Sequence, residues 1–247
     1  MTILPPRENT YEQFAEQYAQ SQQRPDNGSF SWNYDLVIPQ LLNVVGDVTG
    51  CSALDAGCGE GIVARFLADF GAKVTAIDVS PRLVELGKAQ DSQNQITWIV
   101  RDLSLPLASF DETFDVVVSN LVLNDVSDYC GFARTLGAVT KVDGRAVLSL
   151  TNPYSAVMRE KVHSYFDSGE AIPYAWAEPK VYHFHRTMQD YVSAFRDGGF
   201  LLNSLTDVQM PNEMVKRLPD SRKEEIPWFD LYHRYPFFVI LDFVKVG

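Results

Sequence analysis

Between Cys51 and Leu150 short apolar runs alternate with stretches of helical period. SALDAG is followed by IVARFLADF and KVTAID by RLVELGKAQ; then come ITWIV, DVVVSNLVL, FARTLGAVTK and AVLSL. Runs that are apolar throughout, rather than alternating, suit parallel strands whose two faces are both covered by helices. The pattern predicts an α/β doubly wound core.

The flanks read differently. Residues 7–24 are polar with aromatics at Tyr11, Phe14 and Tyr18, spaced by three and four, which predicts an amphipathic helix laid on the core. A second helix is expected from Asp35 to Val45. After Asn152-Pro153 an aromatic-rich stretch without clear period runs to about His185, and long irregular segments of this kind are commonly lids or binding loops. Regular structure returns with a helix from Thr187 to Arg196, ended by Gly198-Gly199. A strand through Leu201 and Leu205 and the terminal FFVILDFVK close the sheet. The whole reads as one domain: an N-terminal helical lid (1–48), a core (49–152), a cap insertion (153–186) and a C-terminal helix with closing strands (187–247).

Composition narrows the partners. With 46% hydrophobic and 21% charged residues over 247 positions, the chain can bury one sizeable core. A formal net charge of -11 opposes binding of a polyanion, so nucleic acid is not an expected partner. The most basic stretch, Lys216 to Lys223, is diluted by Pro219 and Asp220, is followed by Glu224 and Glu225, and reads as a solvated face. No apolar run is long enough to cross a membrane and MTILPPRENT lacks a signal peptide's features, so a cytoplasmic location is expected. Cys51, Cys58 and Cys130 contain no CxxC pair, and neither a disulfide framework nor a metal site is expected.

The segment with the clearest chemistry is Leu54-Asp55-Ala56-Gly57-Cys58-Gly59-Glu60-Gly61, which ends a strand and opens a helix. Glycines at 57, 59 and 61 let the backbone turn tightly and approach a ligand. A dinucleotide fingerprint has the spacing GxGxxG and seats a pyrophosphate on the helix N-terminus. Here the spacing is GxGxG, and Asp55 would repel a pyrophosphate but suits a ligand with a cationic amine. Asp78, seventeen positions past Gly61, ends the next strand, where a carboxylate can accept both hydroxyls of a ribose. Asp102, just past the third strand, can accept an exocyclic amine of adenine, and Ser119 and Asn120 end the fourth strand at the same carboxyl edge.

These pieces resemble a class I S-adenosylmethionine-dependent methyltransferase, and within that class the small-molecule type 11 group related to ubiquinone and menaquinone biosynthesis methyltransferases. The likeness runs from about Tyr11 to the C-terminus, through YEQFAEQY, LLNVVGDVTGCSALDAGCGEG, AIDVSPRLVELGKA, RDL, FDVVVSNLVLNDV, DGRAVLSLTNP and HRTMQDYVSAFRDGGF. It implies a Rossmann-like seven-stranded sheet of order 3-2-1-4-5-7-6 with the last strand antiparallel. It also implies S-adenosyl-L-methionine as methyl donor, with Asp55 and the loop of Gly57, Gly59 and Gly61 at the methionine end, Asp78 at the ribose, and Asp102 with the backbone of Leu103 at the adenine. Ser119, Asn120 and Leu121 would line the floor under the methyl group, and the acceptor would be a small molecule. Two departures stand out: Leu123-Asn124-Asp125 where relatives often carry His or Tyr, and Val142-Asp143-Gly144 in place of a proline-glycine-glycine turn.

Several residues have an ordinary reading beside the functional one. Asp78 could cap a helix in competition with Ser80-Pro81, Asp102 could be a turn residue before Ser104, and Cys58 reads as packing. Tyr11 and Tyr18 are either packing residues or lid contacts to the cofactor. His183 and His185 fall on one side of an extended segment and are the candidates for a general base. Rival functions are a nicotinamide oxidoreductase, disfavoured by the glycine spacing, a protein methyltransferase, and a non-catalytic binder of the same cofactor.

Overall fold

The computed structural model describes residues 10–22, 31–106, 111–155, 158, 161–169, 171–173, 182–211, 213–214 and 235–247. The apolar runs become β1 (Ser52–Ala56), β2 (Lys73–Asp78), β3 (Ile96–Val100), β4 (Phe114–Asn120) and β5 (Thr140–Thr151). The interleaved helices are α4 (Ile62–Asp69), α5 (Pro81–Gln90) and α6 (Tyr129–Val139), preceded by α1 (Thr10–Gln13), α2 (Ala15–Gln22) and α3 (Ile38–Val45). After β5 come β6 (Ala171–Pro173), β7 (Tyr182–Phe184), α7 (Met188–Asp197), β8 (Phe200–Val208) and β9 (Phe238–Lys245). Seven of these strands form one sheet in the order β3-β2-β1-β4-β5-β9-β8. Counting only strands of that sheet, this is the 3-2-1-4-5-7-6 order, and β9 runs antiparallel to both β5 and β8.

Period-two alternation along β9 puts Phe238 and Ile240 in the layer of α3 and α4. Val239, Leu241 and Phe243 lie in the opposite layer, against Phe132 of α6 and Phe195 of α7. Local chemistry sets the helix starts. Ser80 caps α5 by accepting from the Leu83 N–H, Asp128 caps α6 through Gly131, and Thr187 with Asp190 forms a capping box on α7.

Three expectations are corrected. The N-terminal helix is broken at Phe14 into α1 and α2. The second helix begins as a π-helical turn, Trp32–Val37, before α3, with Ser31 capping it through Tyr34. In the aromatic-rich cap, β6 and β7 pair as a small antiparallel sheet, and the β7 backbone is tied to the core by the Phe184 N–H donating to the Asn124 carbonyl at 2.7 Å. The departure at Val142-Asp143-Gly144 is a bulge at the start of β5, with Asp143 at φ 63 and the β4 register shifting between Phe114 and Val116. Residues 7–9 and 23–24, Tyr174 and Trp176, and the Lys216–Lys223 stretch lie outside the described residues. Among the described residues no helix is long and apolar enough to cross a membrane.

Candidate active site

The carboxyl ends of β1, β2 and β4 open into one cavity of about 320 Å³, at the edge where open α/β sheets bind ligands. The structure brings Tyr11, Tyr18, Asp55, Gly57, Gly59, Asp78, Asp102, Leu103 and Asn120 to it, from five separate segments of the chain. The glycine loop is what makes the floor possible. Gly57 and Gly59 have φ of 78° and 54°, in the left-handed region. A Cβ on Gly57 would lie 2.5 Å from Val122, whereas a Cβ on Gly59 would meet only Tyr18, at 3.9 Å. Gly59 therefore leaves open space for a ligand, and Gly57 leaves room for the loop after β4.

The carboxylates around the loop are arranged by backbone amides. Asp55 is 1% exposed and accepts from the Ala64 N–H at 2.8 Å, which ties β1 to the first turn of α4. Asp78 accepts from Gly59 N–H at 2.8 Å and from Ser80 N–H at 2.9 Å, holding the glycine loop and the start of α5 on opposite oxygens. Asp102 lies exposed on the rim and accepts from Ser104 N–H and Oγ, so the turn role and a place at the cavity coexist. Burial pushes Asp55 up to about 7, against the Ala64 hydrogen bond, with repulsion from Asp78 and Glu60 adding to it. Glu60 is also raised to about 7 by burial, and Asp78 is raised by the same cause.

A cluster of buried carboxylates with raised pKa values is short of a cation. It also makes the ligand-free protein sensitive to pH. Asp55 and Glu60 bind protons more tightly folded than unfolded, so their contribution is fully present below about pH 4 and is lost as pH rises through about 7. The ligand-free melting temperature should fall between pH 5 and pH 8, and Glu60→Gln should flatten that slope. Asp115, held down to about 2 chiefly by its Lys141 hydrogen bond, acts only below this window. Melts that are flat across the window in the unsubstituted protein would show that the cluster is relieved in some other way.

The N-terminal segment roofs the cavity. Tyr11 packs edge-on to Tyr18 with ring centroids 4.8 Å apart, and its hydroxyl donates to Asp125 Oδ2 at 2.8 Å. Glu12 accepts from Ser80 Oγ and Arg82 N–H at the head of α5, and Arg82 pairs with Glu16. At the other end Asn120 donates to Asn33, Asn33 donates to Gln22, and Ser149 donates to Asn120. Both aromatic residues singled out in the sequence thus sit over the glycine loop rather than in the core.

Other expected residues do not reach the cavity. Gly61 starts α4 at φ 77, and its absent Cβ leaves room for the Trp98 ring, which would lie 2.2 Å away. Ser119 is buried and donates to the Ala56 carbonyl at 2.8 Å, bridging β4 and β1. His183 and His185 do not line it, because alternation along β7 turns Tyr182 and Phe184 to the cavity instead. His185 Nε2 lies 2.9 Å from the Tyr165 carbonyl, while His183 Nε2 stands 3.0 Å from Asp125 Oδ1, behind a carboxylate that does face the cavity.

Tyr182 and Phe184 come from the segment expected to form a cap, whereas Glu60, Asn33, Val122 and Asp125 are among the lining residues to which sequence reasoning gave no role. Asp125 was visible only as a departure, and the strand alternation around Phe184 was the signal for the aromatic pair. Leu121, expected on the floor, does line the cavity and adopts φ 58, a conformation rare outside glycine. Its N–H is held by the Ser149 carbonyl and hydroxyl. Among the described residues no group of three His, Cys, Asp or Glu side chains could hold a metal ion, and the three cysteines are free.

A doubly wound sheet with a glycine loop after β1 and an acidic residue ending β2 defines a Rossmann-like fold for a nucleoside-bearing ligand. Residues 54–148 match the family described as Methyltransferase domain. A ubiquinone biosynthesis O-methyltransferase of Methylocella silvestris is 38% identical over 96 residues, which are 38% of this chain and 38% of that protein. A demethylmenaquinone methyltransferase of Tropheryma whipplei is 35% identical over 106 residues, 42% of this chain and 44% of its own length. The matched region thus spans about two fifths of these curated relatives. The crystal structure of an S-adenosylmethionine-dependent methyltransferase from Mesorhizobium loti superposes with a TM-score of 0.67 at 22% identity, covering 84% of this chain and 96% of that one, and shares its fold.

Proposed function

We propose that the protein transfers a methyl group from S-adenosylmethionine to an N, O or C atom of a small-molecule metabolite. The observation that carries this reading is the open space at Gly59, bounded by Asp78 and Asp55 and roofed by Tyr11 and Tyr18. Its donors and acceptors fit the cofactor: Asp78 for the ribose hydroxyls, Asp102 and the Leu103 backbone for adenine, and Asp55 with Glu60 for the amine and the neighbouring positive charge. The cofactor supplies a methyl group already activated by its sulfonium, so the chain needs no nucleophile. What the chain contributes is alignment and exclusion of water. Helices α1 and α2, clipped to α5 by Glu12 and to the β4 loop by Tyr11, supply the roof, and Tyr182 and Phe184 supply an apolar wall. A concave cavity with aromatic walls supports a small acceptor over a protein side chain.

Calorimetric titration is the first test. S-adenosylmethionine should bind, and Asp78→Ala should weaken it by about tenfold or more, since a charged acceptor to hydroxyls contributes roughly 1.5–3 kcal/mol. Because Asp78 holds Gly59 and Ser80 on its two oxygens, Asp78→Asn, which keeps one acceptor and so one of the two ties, serves as the milder comparison. Equal affinity in all three proteins would remove Asp78 from the ribose site. Transfer of labelled methyl to the metabolite fraction of an extract, rather than to its proteins, is the expected second result.

A further inference from the structure

We propose that Asp125 is the catalytic residue facing the acceptor and receives its proton, with His183 a positioning residue behind it. This rests on the methyltransferase reading above.

The other cavity aspartates are committed to backbone amides: Asp55 to Ala64, Asp78 to Gly59 and Ser80, Asp102 to Ser104, and Asp128 to Gly131. Asp125 differs. Its partners are ring side chains brought by two other elements, Tyr11 of α1 on Oδ2 and His183 of β7 at 3.0 Å from Oδ1. Oδ1 is buried, and among the described residues it receives no well-aligned hydrogen bond. The carboxyl group therefore lies where the roof, the cap and the loop after β4 meet, on the wall of the cavity.

The loop that carries it is fixed from behind. Asn124 donates to the Tyr191 hydroxyl at 3.1 Å and accepts from the Thr151 N–H at 2.9 Å. Arg186 donates to the carbonyls of Leu123, Val126 and Ser127. These bonds bracket residue 125 on both sides, so its carboxylate has a set position without spending either oxygen on the backbone. The titratable and charged groups around it are Tyr11 and Tyr18 from the roof, His183 and Arg186 from the cap side, and Tyr191 of α7. Burial and Asp125 itself raise Tyr11 well above its usual value, so that phenol stays a donor and the carboxylate is the proton acceptor.

An acceptor hydroxyl must lose its proton on methylation, and an ammonium must lose one before it can attack, because only the neutral amine has a lone pair. The proton passes to Asp125 Oδ2, the lone pair of the oxygen or of the freed amine forms the bond to the methyl carbon, and the carbon–sulfur pair leaves with the donor sulfur. His183, whose Nε2 stands 3.0 Å from Oδ1, packs against the carboxylate from behind. A base placed in this way contributes about 10²–10⁴ in rate.

The test uses labelled methyl transfer to 4-methylcatechol and to phenethylamine across the pH range, with S-adenosylhomocysteine affinity measured by calorimetry on every variant. Asp125→Asn keeps an oxygen for Tyr11 and should bind S-adenosylhomocysteine as the unsubstituted protein does, yet lose about 100-fold or more in kcat together with the acid limb of the pH profile. Tyr11→Phe removes the tie to the roof but leaves the base, so it should keep the limb. His183→Gln should move the limb, and Asp125→Glu should restore part of the rate. If Asp125 only joined roof to cap, Tyr11→Phe and Asp125→Asn would lose rate alike with unchanged profiles, and the assignment would be overturned. An unsubstituted protein that fails to bind S-adenosylhomocysteine overturns the reading of the whole site instead.

Discussion

Gly59→Val is expected to abolish cofactor binding while leaving the protein folded. At φ 54 the residue occupies the left-handed region, and a side chain there costs roughly 1–2 kcal/mol, more for a β-branched one. For a chain of this size that lowers the melting temperature by about 2–8 °C, which a folded protein survives. The binding effect is much larger, because the new side chain would fill the space that the glycine leaves between the loop and Tyr18. Affinity should drop beyond detection by calorimetry, and Gly59→Ala should fall between. A valine variant that binds within a few-fold of the original would mean that the ligand does not touch this loop. Position 57 is a less informative target, since a side chain there would collide with Val122 and disturb the next loop before any ligand arrived.

Arg186→Met should produce the largest loss of stability. The guanidinium is 2% exposed, lies 4.3 Å from the Tyr129 ring centroid and 5.1 Å from that of Phe184, and donates to three carbonyl oxygens of the loop after β4. Burial draws its pKa down, but the carbonyls and rings give the charge its compensation. Methionine fills similar volume and leaves three carbonyls, that of Leu123 buried and those of Val126 and Ser127 in part-buried bonds, without their charged donor, a loss of about 3–5 kcal/mol. The melting temperature should fall by roughly 6–20 °C. Saturating S-adenosylhomocysteine should recover only part of it, because the loosened loop carries Leu121, Val122, Asp125 and Val126 of the cavity wall. A shift under about 2 °C would show that the carbonyls find water and that the loop is held by other contacts.

How far the sequence reached can be judged residue by residue. The core strands and the helices between them were legible because a buried parallel strand must be apolar on both faces, a signal that a single sequence carries, whereas the strand order was implied only by the family resemblance. The terminal pair followed from FFVILDFVK, which alternates between two core layers in the structure. The glycine loop and Asp78 were legible because the backbone conformation and the strand-end carboxylate are local properties. Gly61 was read as a ligand contact on the same local grounds, yet its missing side chain serves Trp98, thirty-seven positions away.

The acceptor side was not legible, since no local rule brings Tyr11, Asp125 and His183 together across more than a hundred positions. The histidines were placed correctly on one side of an extended segment, but which side faces the cavity depends on how β7 docks through Phe184 onto Asn124. Sequence alone therefore determined the class of fold and which carboxylates and glycines stand at the carboxyl ends of β1 and β2, because these are properties of residue type and strand position. Tertiary structure decided the rest, because the packing of the roof and the cap sets which polar groups are buried, which are paired, and which are left to meet a ligand.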